Sequence, residues 1–177
     1  MSRFWRWVIW LAGVVVVVGV VGVGFVYSGM YNVSAVPPDG RLVEWVMGTT
    51  MDHSVARHAE SIQPPRLDDP AMYRLGFQHY REMCVECHGA PGIDIGDTGQ
   101  GLRPDPPELV ESAGDWTPGQ LFWITKNGVR MTGMPAWGAT HSDDKIWAIV
   151  AFTRRLPKLS EDDYRKLDHD LPRLPPD

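Results

Sequence analysis

The sequence predicts an all-α protein: a small helical domain behind one N-terminal transmembrane helix. Three observations carry this. Trp7–Tyr27 is a run of 21 residues with no charged and no strongly polar side chain. Helix-start signatures recur downstream, at Asp69-Pro70, Thr117-Pro118 and Ser142-Asp143-Asp144, each followed by apolar residues at helical spacing. The only two cysteines, Cys84 and Cys87, sit three positions apart where such a helical stretch ends.

At 1.5 Å per residue the Trp7–Tyr27 run is about 31 Å long, enough to cross the hydrocarbon core of a bilayer. Trp5, Trp7 and Trp10 flank one end and Tyr27 the other, as interfacial aromatics do. Arg3 and Arg6 precede the run, and no basic residue follows until Arg41. The positive-inside rule then places the N-terminus in the cytoplasm and the remainder across the membrane. The rival is a cleaved signal peptide, with Val33-Ser34-Ala35 as its small-residue site. Its apolar core is ordinarily about 7 to 15 residues, shorter than this run. Gly13, Gly19, Gly22 and Gly24 leave open close approach to another membrane helix or a plain lipid-facing surface, since no strict G-x-x-x-G is present.

Pro37-Pro38-Asp39-Gly40 is a turn or linker. Arg41 to Ile62 is expected to be helical, with Leu42, Trp45, Val46, Val55, Ala59 and Ile62 on one broad face. Gly48-Thr49-Thr50 weakens its middle, which leaves one helix or two open. Such a segment packs on the following domain, lies at the lipid surface, or docks a partner. His53 and His58 within it, and His79, His141 and His169 beyond it, are expected to be solvated side chains.

From Asp69-Pro70 the next helix runs toward Cys87, with Leu75, Gly76, Tyr80 and Met83 on one face. Gly76 lacks a side chain where its neighbours carry bulk, which predicts close contact with an aromatic residue from another helix. The helix delivers Cys84-Val85-Glu86-Cys87-His88, a C-x-x-C-H sequence and the attachment signal of c-type haem. Two thiols three residues apart present to one side of a porphyrin and add across its vinyl groups. The imidazole that follows reaches the iron as proximal ligand. A zinc site would need two more soft ligands, and there is no other cysteine. A thioredoxin-like site would need a βαβ pattern around it. With both thiols committed to thioethers, no disulfide is expected.

Gly92 to Pro107 is expected to be an irregular loop along a haem edge, and Leu109 to Ala113 one helical turn. Thr117-Pro118 opens a helix with Leu121, Phe122 and Ile124 on its apolar side, stopped by Asn127-Gly128. The loop Gly128 to Gly138 holds Met131 and Met134. A thioether is a soft sixth ligand that raises the reduction potential and closes the iron to oxygen chemistry. Met134 precedes Pro135, which restricts its backbone; Met131 is the competitor. Ser142 caps the last core helix, rich in Ile146, Trp147, Ile149, Val150 and Phe152. A short polar helix over Ser160–Leu167 and a proline-rich tail without a core follow.

C-V-E-C-H followed some 46 residues later by G-M-P-A-W-G resembles the class I mono-haem cytochromes c, above all bacterial membrane-anchored ones. The resemblance spans roughly Asp69 to Pro157. It implies a small helical domain around one covalent haem c, crossing of the first and last core helices, and iron held by His88 and Met134. The expected organisation is 1–28 anchor, 29–67 linker and juxtamembrane helix, 68–167 haem domain and 168–177 tail. Past Tyr27, 15 basic residues face 22 acidic ones, and nothing suggests nucleic acid.

The expected function is single-electron transfer by a tethered carrier on the periplasmic face of the inner membrane. Its redox partners would be a membrane dehydrogenase, a quinol-oxidising complex, a terminal oxidase or a reaction centre. The alternative is a fixed subunit of a respiratory or photosynthetic complex. A peroxidase would want an open sixth position and usually a second haem, whereas only one C-x-x-C-H is present.

Overall fold

A computed structural model describes residues 2–174. The fold is helical over 64% of the chain, with no strand among the described residues. Two compact units are present, Met1–Ser34 and Ala35–Asp177.

The first unit is helix α1, Arg3–Tyr27. Its side chains are exposed throughout, and it is long and apolar enough to cross a membrane. Ser28 closes it, its hydroxyl and its backbone N–H both donating to the Phe25 carbonyl.

The second unit begins with α2, Arg41–Ala59, which is one helix and not two. Gly48 costs about 1 kcal/mol of helix propensity relative to alanine. That cost is met by anchoring at the C-terminal end, where Val55 and Ala59 are buried. Thr50 also turns its hydroxyl back to the Val46 carbonyl at 2.6 Å and keeps its polar group within the helix. The expected common face fails. Val55 and Ala59 are buried, whereas Leu42, Trp45 and Val46 are exposed.

α3 is Pro70–Met83, with Asp69 Oδ1 accepting from Ala71 N at 2.8 Å. Cys84 ends it, and a separate turn, α4 (Val85–His88), carries the rest of the motif. The expected irregular loop contains one helical turn, α5 (Asp97–Gln100). α6 (Leu109–Ser112) and a 3₁₀ turn over Ala113–Asp115 lead to α7 (Pro118–Asn127), which opens with a full Thr117–Gln120 capping box. α8 is Asp143–Thr153, capped by Ser142, and α9 is Glu161–Asp170, capped by Ser160.

α8 is the centre of the unit: every residue from Ile146 to Thr153 is buried. It crosses α3 with Gly76 at the crossing. A Cβ at Gly76 would fall inside the van der Waals shell of the Ala148 carbonyl oxygen and 2.9 Å from Phe152 Cβ. The close approach expected of Gly76 is present, against backbone first and the aromatic residue second. On one side of α8, Phe77, Tyr80, Phe152, Leu156 and Tyr164 form a cluster that includes Cys84; on the other, Leu121, Phe122, Ile146, Trp147 and Val150 pack together. The Phe122 and Trp147 rings stack at 4.2 Å.

The C-terminal segment is more tightly held than a polar helix and free tail would be. Tyr164 of α9 is buried, and burial pushes its phenol up to about 12. Arg81 of α3, its side chain nearly covered, donates to Asp168 Oδ1 at 3.1 Å, Leu171 O at 3.1 Å and Pro172 O at 2.9 Å. Leu171 packs on the core and Leu174 N donates to Glu82. Residues 175–177 of the expected tail lie outside the described residues.

Candidate haem site

The site starts from how α3 ends. Cys84 N still donates to Tyr80 O at 2.9 Å, and His88 N donates to Cys84 O at 2.8 Å, so the chain winds on through the motif. Gly89 then takes φ 65°, a left-handed conformation glycine adopts without strain. Ala90 and Ile93 exchange two hydrogen bonds of 2.8 Å around Pro91-Gly92, with Gly92 at φ 75° as a type II turn requires. The buried Tyr80 hydroxyl donates to Gly89 O at 2.8 Å and ties this turn to α3.

Cys84 is buried and Cys87 half-buried. Burial pushes the Cys84 thiol up to about 12, so this position holds a neutral sulfur. A thioether, which carries no charge, suits it. His88 Nδ1 lies 2.9 Å from the Pro107 carbonyl, which only accepts, so Nδ1 carries the proton and Nε2 keeps its lone pair. Burial holds the imidazole below the usual histidine range, opposed by the bond to Pro107. A neutral imidazole oriented through one nitrogen is the form in which histidine binds a metal with the other. These residues fit a covalent haem: two uncharged sulfur positions and one oriented nitrogen donor on a single turn.

The methionine loop is shaped by Gly128, at φ 64°. A Cβ there would lie 2.7 Å from Met134 O, so the loop closes onto the end of α7. The Met134 backbone is held at both groups: its N–H donates to Thr132 Oγ1 at 3.0 Å, and its carbonyl accepts from Val129 N at 3.2 Å. Met134 is half-buried. Met131 instead has φ 62° and is 76% exposed. Two glycines connect this loop to the C-x-x-C-H turn. Gly99 of α5 packs against Cys87, where a Cβ would lie 2.9 Å from Cys87 Cα. Leu102, just after α5, fills the space over Gly133, 2.5 Å from where its Cβ would be. Glu86, inside the motif, accepts from Thr98 N at 3.1 Å and holds α5 in place.

His79 and His141 are not the solvated residues expected. Both are buried, with rings edge-to-face at 5.2 Å, and Trp137 lies edge-on to His141 at 5.4 Å. Thr140 Oγ1 is 2.9 Å from His141 Nδ1. The only hint in the sequence is that His141 directly precedes the helix cap Ser142, a position that often packs against its helix. His58 stacks on Trp123 at 5.3 Å and its Nδ1 donates to Ser54 O at 2.7 Å; His53 is exposed.

Residues 71–152 match the family described as cytochrome C oxidase, cbb3-type, subunit III. No curated protein and no solved structure matches the chain. The family match covers the C-x-x-C-H turn, the methionine loop and all but one residue each of α3 and α8, and implies covalently bound haem c. Over residues 71–152 the match indicates a mono-haem c-type cytochrome domain and supports haem-based electron transfer, and the one N-terminal apolar helix fits membrane anchoring.

Proposed function

We propose that this is a membrane-tethered electron carrier whose haem domain, residues 68–167, works on the periplasmic face of the inner membrane. Cys84 and Cys87 form the thioether links, and His88 and Met134 hold the iron. The observation that carries the reading is His88 itself: its Nδ1–H is committed to Pro107, which turns Nε2 outward from a turn that also bears both sulfurs. Bound there, haem supplies a reversible one-electron ferrous–ferric couple. The protein's residues orient the imidazole, place both sulfurs on one turn and offer a soft thioether from a closed loop. Arg3 and Arg6 in the first turns of α1, with no further basic residue until Arg41, support a cytoplasmic N-terminus.

Acid-acetone extraction of the wild type should leave the colour with the polypeptide. Cys84→Ala combined with Cys87→Ala should yield no stable holoprotein. Colour passing fully into the organic phase from wild type would refute covalent attachment.

The redox partners fit a membrane dehydrogenase, a quinol-oxidising complex, a terminal oxidase or a reaction centre. One observation favours a second reading, a fixed subunit: the matching family is described as an oxidase subunit. Mild detergent extraction followed by native electrophoresis with haem staining separates them. A tethered carrier migrates near the 19.9 kDa of the chain plus its micelle. Comigration with a large assembly means a subunit.

A further inference from the structure

α2 presents two apolar faces on opposite sides. In a regular helix at about 100° per residue, Val55 and Ala59 point one way, and this face is buried in the second unit. The end of the helix fits against α7, where a Cβ on Gly119 would lie 3.0 Å from Ile62 O and 3.4 Å from Ala59 O. The first two turns are arranged otherwise. Trp45, Leu42, Val46, Val43 and Met47 form an arc of about 200° centred roughly 160° from the Val55–Ala59 face. All five are exposed, Leu42 by 72% and Trp45 by 67%. The side that would continue the packed face carries Arg41, Glu44 and Gly48 instead. The two faces cancel across the whole helix, which hides the amphipathic character of its first half.

We infer that the Leu42–Met47 face of α2 rests in the headgroup region of the bilayer that α1 spans. This rests on the reading of α1 as an uncleaved anchor. Only residues 28–40 separate the two helices, a reach of at most about 45 Å, so the face stays at high effective concentration near the membrane. The intervening chain suits the same environment: from Ser28 to Pro38 it has no charged residue, and Met30, Tyr31, Val33 and Val36 are exposed. Tyr31 and Trp45 are residue types that favour the interface. The polar side bears one Arg and one Glu, so apolar area and not anionic lipid drives the contact, and zwitterionic lipid suffices. Held this way, the haem domain meets partners that lie at the membrane surface.

With both native cysteines in thioethers, one introduced cysteine is a unique label site, and wild type should take up no label. The full-length holoprotein carrying a nitroxide at Val46→Cys, Glu44→Cys or Val17→Cys would be reconstituted into phosphatidylcholine nanodiscs. Collision with oxygen and with a water-soluble nickel chelate would be measured by electron paramagnetic resonance, with the haem spectrum unchanged as the check on folding. The Val46 site should be rich in oxygen contact and shielded from nickel, Glu44 open to nickel, and Val17 deep in lipid. Nickel access at Val46 with Val17 in lipid overturns the inference alone. Shielding of Val46 from both reagents overturns it in favour of a protein, a second copy included, on this face. A Val17 site outside lipid removes both the anchor and the inference.

Discussion

Met134→Ala should abolish the weak charge-transfer band at the red end of the ferric spectrum, while Met131→Ala should keep it. That band reports a thioether–iron bond. The two methionines lie three residues apart in one loop, but their surroundings differ. Met134 is half-buried, its N–H held by Thr132 and its carbonyl by Val129. Met131 points out at 76% exposure from a left-handed backbone position. Loss of the Met134 thioether should also open the sixth position to carbon monoxide and lower the potential, because His/Met ligation is what raises it. Met131→Ala should leave carbon monoxide binding and the potential near wild type. Ferric spectra, carbon monoxide titration and a potentiometric titration of both variants decide the matter. Loss of the band in Met131→Ala would reverse the assignment. A band that survives both substitutions would exclude either methionine as ligand.

Away from the haem attachment residues, Gly76→Ala should cause a large loss of stability. Two effects oppose each other at this position. Alanine gains about 1 kcal/mol of helix propensity over glycine. Its methyl group, however, would overlap the Ala148 carbonyl oxygen and press on Phe152 Cβ at 2.9 Å. Backbone cannot move aside as a flexible side chain does, so α3 and α8 must separate. Overpacking of this kind, backbone shifts included, costs about 1–3 kcal/mol and occasionally more. With the clash against backbone at the upper end of that range it outweighs the propensity gain, and a net loss of about 2 kcal/mol is expected in denaturant unfolding followed by haem absorbance. Gly48→Ala is the control. A Cβ there meets nothing within 4 Å, so this substitution should cause no loss. Equal behaviour of the two variants would mean that the α3–α8 crossing is looser than described.

Features that depend on neighbours in sequence are legible in the sequence alone. The cap residues Asp69, Thr117 and Ser142 bond to backbone within three positions, so a short window contains the whole interaction. The same holds for the uncharged span in α1 and for C-x-x-C-H, whose chemistry lies in residue type and spacing. Gly76 is legible in part: a missing side chain on a bulky face signals close approach, but only the crossing shows that the neighbour is the Ala148 backbone. Burial of His79 has no local signature and that of His141 only its place before the cap Ser142, because the two rings meet each other from α3 and the start of α8, far apart in the chain. The hold of Arg81 on residues 168–172 is equally non-local.

α2 shows the division most clearly. The sequence by itself determined that a helical segment begins at Arg41 and contains enough apolar residues to be buried on one side, while its end at Ala59 and its continuity through Gly48 were settled by the structure. The sequence did not determine which of those residues face the domain, because helical periodicity assigns a face only relative to the helix axis. The tertiary structure decided that by docking Val55 and Ala59 near α7 and leaving Leu42–Met47 uncovered. Packing free energy scales with the apolar area that a neighbour covers, and only the folded chain specifies where a neighbour is.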